Sequence, residues 1–190
     1  MTTSNEVLKA IHYRRSVFQA NFTDQEVSKE DILSILEAAN AAPTHKRTQP
    51  WRFTIFRKEG LQRLGTELAN IYKSVTPAEK YLEKTEHAMA EKATASNVAL
   101  ALVVNYSGDV PEWEELAATS CAIQNMWLAA HSLNLGGYWA TPGLINHLGE
   151  FLRLEPNQKC IGIFYLGHTN VELREPARTA IEEKITWIEE

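Results

Sequence analysis

The 190 residues are 44% hydrophobic and 23% charged, a balance that excludes an intrinsically disordered chain and predicts a single domain, 1–190, with one core. The formal net charge of −5 excludes a broad basic face, so neither nucleic acid nor an anionic membrane is expected as a partner, and any bound anion is held locally. Cys121 and Cys160 are the two cysteines, too few for a disulfide framework or a four-cysteine zinc site, and both are expected as buried, inert thiols.

The N-terminal stretch has no long apolar centre of the kind a secretory signal needs, which predicts a cytoplasmic protein. A first helix is expected from Ser4 or Asn5, turning Val7, Leu8 and Ile11 inward and delivering Arg14-Arg15-Ser16 to its exit. Ser28 and Asp31 form an approximate capping box for a second helix that runs to about Ala42. Pro43 and Pro50 then restrain a polar loop before a strand in which Trp51, Phe53 and Ile55 alternate with Arg52, Thr54 and Arg57. A helix over Glu59–Tyr72 follows, and Thr76-Pro77 predicts the start of another that reaches Lys92.

Val98–Val104 is all apolar and fits a central strand covered on both faces. Pro111 opens a long helix through Asn134, and Gly136-Gly137 is expected to end it. Its segment Leu116–Leu135 has no formal charge but is too polar for lipid, so it is expected to be buried on most faces by the core and a second subunit. Tyr138-Trp139-Ala140 predicts a brief strand, Leu144, Leu148, Phe151 and Leu152 a helix, and Cys160–Leu166 a strong strand. The tail, about 168–190, is charged until Ile185, Trp187 and Ile188, which have no evident home within one chain and are expected on a partner subunit or a sheet edge. Helices and strands interleave without a regular βαβ repeat, so the class is α+β in three layers.

Two stretches carry candidate chemistry. Arg14-Arg15-Ser16 sets fixed positive charge beside a hydroxyl, which suits a phosphate. A basic pair at a helix end is equally what the helix dipole favours in water. The loop Pro43-Thr44-His45-Lys46-Arg47-Thr48-Gln49-Pro50 packs hydroxyl, imidazole, cation and amide groups between two prolines, and fits either a binding loop or a solvated crossover. The six histidines show no metal-binding spacing, so no metal site is expected, and no nucleophile elbow or phosphate-binding P-loop is present. The acidic pairs Glu114-Glu115 and Glu182-Glu183 are expected on helix surfaces, and Trp113 and Trp127 in the core or an interface.

Arg14-Arg15-Ser16, Pro43-Thr44…Gln49-Pro50-Trp51 and Leu135-Gly136-Gly137-Tyr138-Trp139 together resemble the nitroreductase family, in order and spacing, from about Val7 to Leu166. The resemblance is closest to its small bacterial NAD(P)H nitroreductases. It implies a three-layer α-β-α fold with a mainly antiparallel sheet, and an intertwined homodimer with flavin mononucleotide (FMN) at the subunit interface. Arg14, Arg15 and Ser16 would hold the phosphate and ribityl region, with Pro43, Thr44 and His45 approaching the flavin from the other subunit. Trp139, Ala140 and Thr141 would pass beside the cofactor, and Arg178 matches a C-terminal phosphate-binding arginine.

The implied activity is ping-pong, two-electron hydride transfer from NAD(P)H through FMN to a small electron-poor acceptor such as a nitroaromatic or quinone, with no side chain required as a catalyst. Dehalogenation, enone reduction and non-catalytic flavin binding are the alternatives. Arg47 replaces a common Asn and Ala140 an Arg frequent in the closest subgroup, two departures that bear on the pocket.

Overall fold

In the computed structural model, which describes residues 6–189, the fold is organised by one strand. β2 (Val98–Asn105) is apolar from Val98 to Val104 and buried along that whole run. Such a strand has no polar face to give to water, so it lies inside a sheet with helices on both sides. It pairs with β1 (Trp51–Phe56) on one side and β4 (Gln158–His168) on the other, and β4 in turn pairs with β3 (Leu135–Ala140). The order is β1-β2-β4-β3, with every pairing antiparallel.

Alternation along β2 separates two cores. Val98, Leu100 and Leu102 join Ile32, Ile35 and Ala39 of α2 (Lys29–Asn40) and Ala122, Ile123 and Met126 of α5 (Glu112–Ser132). Ala99, Ala101 and Val103 face the opposite layer, with Leu61, Leu64 and Leu68 of α3 (Glu59–Val75) and Ala93 of α4 (Glu83–Thr94). Each fully buried Leu or Ile in these layers contributes about 1.5–3 kcal/mol. The result is the expected three-layer α+β arrangement. Ser28 caps α2 by accepting from the Asp31 N–H at 2.9 Å, and its own hydroxyl donates to the Asp31 carboxylate. Among the described residues no helix is long and apolar enough to cross a membrane.

Several expectations are corrected. Pro77 opens only a 3₁₀ turn over Ala78–Lys80, and α4 starts at Glu83. The helix expected around Leu144–Leu152 is a 3₁₀ turn, Gly143–His147, because two glycines and a left-handed Arg153 break the segment. α5 stops at Ser132, closed by left-handed Asn134, and Gly136-Gly137 lie inside β3.

α5 buries only the face that carries Ala118, Ala122, Met126 and Ala130, which leaves Cys121 exposed and Trp113 68% exposed. α1 (Glu6–Tyr13) rests on α5, yet Val7 is 65% and Ile11 47% exposed, so the expected inward face is left largely open by the described residues. Between α1, α2 and α5 runs an apolar groove of about 390 Å³ lined by Val7, Ala10, Ala38, Ala41, Leu128 and Ala129. The predicted helix start at Ser4 or Asn5 lies outside the described residues.

Candidate active site

The exit of α1 is stitched to β3. Arg14 N–H donates to Ala10 O at 2.9 Å as the last helical bond, Ser16 forms a parallel bridge with Gly137, and Val17 N–H donates to Gly137 O at 3.1 Å. The glycine pair permits this approach. A Cβ on Gly136 would sit 2.8 Å from Val17 Cβ, and one on Gly137 would sit 2.6 Å from the Phe164 ring and 2.7 Å from Tyr165 O.

At this junction the Arg14 guanidinium lies over the Trp127 ring, 4.1 Å from its centroid. Stacking on an indole satisfies the planar face of a guanidinium but none of its N–H groups. Nε and Nη1 of Arg14 are buried and have no hydrogen-bond partner among the described residues, although the side chain as a whole is half-buried. Burial, then Arg15, then Arg178 hold the Arg14 pKa below its ordinary value. It remains a cation at any physiological pH.

Arg15 is occupied: its Nε donates to Arg174 O at 2.7 Å and its Nη1 to His12 O and Arg14 O, which pins the tail against the helix exit. Tail residues 171–178 then wall a cavity of about 550 Å³ that Arg14, Arg15, Ser16 and Arg178 all line. Four arginines line it, Arg14, Arg15, Arg174 and Arg178, against two carboxylates, Glu172 and Glu175. Arg178, placed by sequence in a charged tail, thus shares a cavity with a motif more than 160 residues away.

Pro43, Thr44 and His45 do not line that cavity within this chain. They begin an exposed loop with left-handed backbone at Lys46, Arg47 and Gln49 (φ 49°, 58° and 45°). Each such non-glycine residue costs about 1–2 kcal/mol. The loop is held by the Thr44 hydroxyl, which accepts from Gln49 N–H at 3.1 Å, and by two contacts to the segment ahead of and within the first turn of α5. His45 Nδ1 lies 2.6 Å from Glu114 Oε2, and Lys46 Nζ donates to Asp109 O at 2.9 Å.

Trp139 Nε1 donates to Ile161 O at 3.2 Å beside a bulge in the β2–β4 pairing, where its indole occupies the space over Gly162. Its ring is therefore packed into the sheet, with Ala140 half-buried and Thr141 exposed at the end of β3. Trp139 and Ala140 share β3 with the Gly137 that holds Ser16, and Thr141 follows directly, so one strand connects this segment to Ser16.

Other participants were not visible in the sequence as such. Trp127, expected simply as core or interface, is the platform beneath Arg14. His131, one helical turn further on, lines a smaller cavity of about 130 Å³ with Arg14 and Trp127, and burial followed by Arg14 and Arg15 pushes its pKa down. The i, i+4 spacing of Trp127 and His131 was the available signal. The Glu114-Glu115 pair is not the helix surface expected of it. Glu115 is buried, accepting from Ser107 N–H at 3.0 Å, while Glu114 turns to His45. No cluster of metal-ligating side chains occurs among the described residues.

With this geometry in place, comparison with known proteins is direct. The nitroreductase family model matches residues 11–168. YfhC of Bacillus subtilis, described as a candidate NAD(P)H nitroreductase, is 29% identical over 183 residues, 93% of this chain and 91% of its own. A nitroreductase-like protein from Bacillus cereus superposes with a TM-score of 0.86 at 29% identity, covering 100% of both chains. A candidate nitroreductase from Desulfovibrio desulfuricans, crystallised in complex with FMN, gives 0.74 at 27% identity over 98% of this chain and 99% of that one. Motifs, sheet order and these likenesses agree over nearly the whole chain, which belongs to the nitroreductase family.

Proposed function

We propose that this chain is an FMN-dependent NAD(P)H oxidoreductase whose cofactor phosphate sits in the cavity of Arg14, Arg15, Ser16 and Arg178. The observation that carries this reading is the pair of buried, unpartnered donors on Arg14. A buried cation with vacant N–H groups is costly unless an anion meets it, and a phosphate offers bidentate, charge-assisted acceptors of the required kind. The residues present therefore fit the group. The FMN-bound relative supports the choice among anions.

Bound FMN would supply the two-electron chemistry, taken from NAD(P)H and passed in a ping-pong sequence to an electron-poor acceptor such as a nitroaromatic or a quinone. The chain's own residues bind and orient. Arg14 and Arg178 neutralise the phosphate, Arg15 keeps the tail in place as a wall, and Ser16 offers its hydroxyl to the same cavity. Trp139, Ala140 and Thr141 border the cofactor from the end of β3. Pro43, Thr44 and His45 reach the flavin of a second copy of this chain, in a homodimer that covers the exposed faces of α1 and α5. Trp187 and Ile188, 77% and 88% exposed, would find their cover on that partner. The single domain would work in the cytoplasm, where NAD(P)H is available.

Anaerobic mixing of the FMN-loaded protein with NADH or NADPH tests the reading. Rapid bleaching of the flavin's visible absorbance, restored by a quinone or nitroaromatic, is the expected outcome. Retained FMN that neither nucleotide bleaches would reduce the protein to a flavin carrier, and failure to bind FMN at all would overturn the proposal.

A further inference from the structure

We propose that Glu114 is a positioning residue for His45, fixing the imidazole at Nδ1 so that Nε2 is the nitrogen offered to the flavin site. The proposal rests on the flavin reading above. Glu114 Oε2 and His45 Nδ1 are 2.6 Å apart across 69 residues of sequence, the carboxylate being 24% and the imidazole 58% exposed. An ionised carboxylate has no hydrogen to give, so the proton in this contact is on Nδ1. A neutral ring held in this way presents a lone pair at Nε2, and a protonated ring presents an N–H there. In both states the ligand meets Nε2, and Nε2 has no partner among the described residues. Orientation of a functional imidazole by a carboxylate on its other nitrogen is a general device for holding a ring in one tautomer.

The surroundings make Glu114 a dedicated support. Its neighbour Glu115 points the other way, buried, and anchors Ser107. The turn that begins at Ser107 supplies the Asp109 carbonyl that holds Lys46. The loop thus has two clamps of different kinds. The Lys46 clamp fixes backbone position, while the Glu114 clamp acts on the ring itself. This separation allows orientation to be tested apart from loop anchoring.

The experiment uses FMN-loaded wild type, Glu114→Gln and Lys46→Met with ¹⁵N-labelled histidine. The His45 ring is read by long-range ¹H–¹⁵N NMR, and anaerobic bleaching by NADH and NADPH is followed in stopped flow. In the wild type Nδ1 carries the proton, and the Nε2 resonance moves when FMN is added to the apoprotein. Glu114→Gln keeps FMN and its melting temperature, loses the dominance of the Nδ1–H form, and slows bleaching about tenfold with little change in nucleotide KM. Lys46→Met leaves the ring spectrum intact and slows bleaching less.

A wild-type ring in the Nε2–H form overturns the proposal, as does a Glu114→Gln ring and rate that match wild type. Equal slowing in Lys46→Met with an unaltered ring assigns the effect to anchoring and also overturns it. Wild type that binds no FMN, or holds FMN that neither nucleotide bleaches, overturns the flavin reading and the role of Glu114 with it, a failure recognisable before any variant is made.

Discussion

The Arg14 end and the His45 loop carry the two candidate polar motifs of the chain and are built on opposite principles. Arg14 is stacked on Trp127 with its Nε and Nη1 buried and without a partner among the described residues, so in the proposed function an anion completes that end. His45 is exposed, sits in a loop with three left-handed residues, and has Nδ1 already engaged by Glu114. On the proposed function the first motif is a receptor whose residues all come from one chain. The second is a braced projection with nothing of its own to close upon. A site that needs both has to draw the projection from elsewhere, which is the physical case for a second copy of this chain.

The largest expected effect lies at the receptor. Arg14→Ala removes two charge-assisted donors worth about 1.5–3 kcal/mol each, so FMN affinity in a fluorescence titration should fall at least about 100-fold. His45→Ala should weaken FMN by no more than about tenfold, since one hydrogen bond outside the phosphate cavity is lost. Equal losses for the two variants would break the comparison. Mixing the two variants, at an FMN concentration where each alone has reduced activity, would sharpen it. Exchange of subunits regenerates one intact site per mixed dimer, so activity should recover in part, whereas no recovery would place both motifs of a site on one chain.

Gly137→Ala tests the strand that joins Ser16 to the Trp139-Ala140-Thr141 segment. The new Cβ would meet a backbone carbonyl and an aromatic ring in the core, a crowding that costs about 1–3 kcal/mol in chemical denaturation and should displace Ser16 with β3. Ser28→Ala, which removes the α2 cap far from the Arg14 cavity, should cost about 1 kcal/mol of stability and leave FMN affinity unchanged.

The smallest effect is electrostatic. In the folded chain the His131 pKa is pushed below its ordinary 6.5, first by burial and then by Arg14 and Arg15. Between the folded and unfolded values the unfolded chain binds the extra proton, so the stability due to a neutral His131 is present above 6.5 and is lost as pH falls below it. Melting temperatures of the FMN-free protein should decline across that window, and His131→Gln should flatten the decline.

Much of this molecule was legible because it depends on local pattern. The apolar run Val98–Val104 implied a doubly covered strand, and the strand has helices on both faces. The Ser28 cap marked the start of α2, which ends at Asn40 where Ala42 was expected. Misjudged elements were those whose local signal served another end. Gly136-Gly137 resembles a helix stop, yet Asn134 closes α5 and the glycines exist so that Val17 and Phe164 can approach β3. Val7 and Ile11 have helical spacing for burial, but one chain leaves them in contact with water.

Composition, periodicity and motif order by themselves determined the α+β class, the order of the main elements and the Arg14-Arg15-Ser16 motif as an anion candidate, because propensity, capping and charge act between neighbours in the chain. Only the tertiary structure decided that Trp127 lies beneath Arg14 and that Glu114 holds His45, and it set Arg178, which the family resemblance had offered for the phosphate, in the same cavity as the motif. These placements span more than 60 residues, and no local pattern encodes which distant side chains the packing of a sheet and two helical layers will bring to one cavity or, for Trp127 under Arg14 and Glu114 at His45, to 4.1 and 2.6 Å.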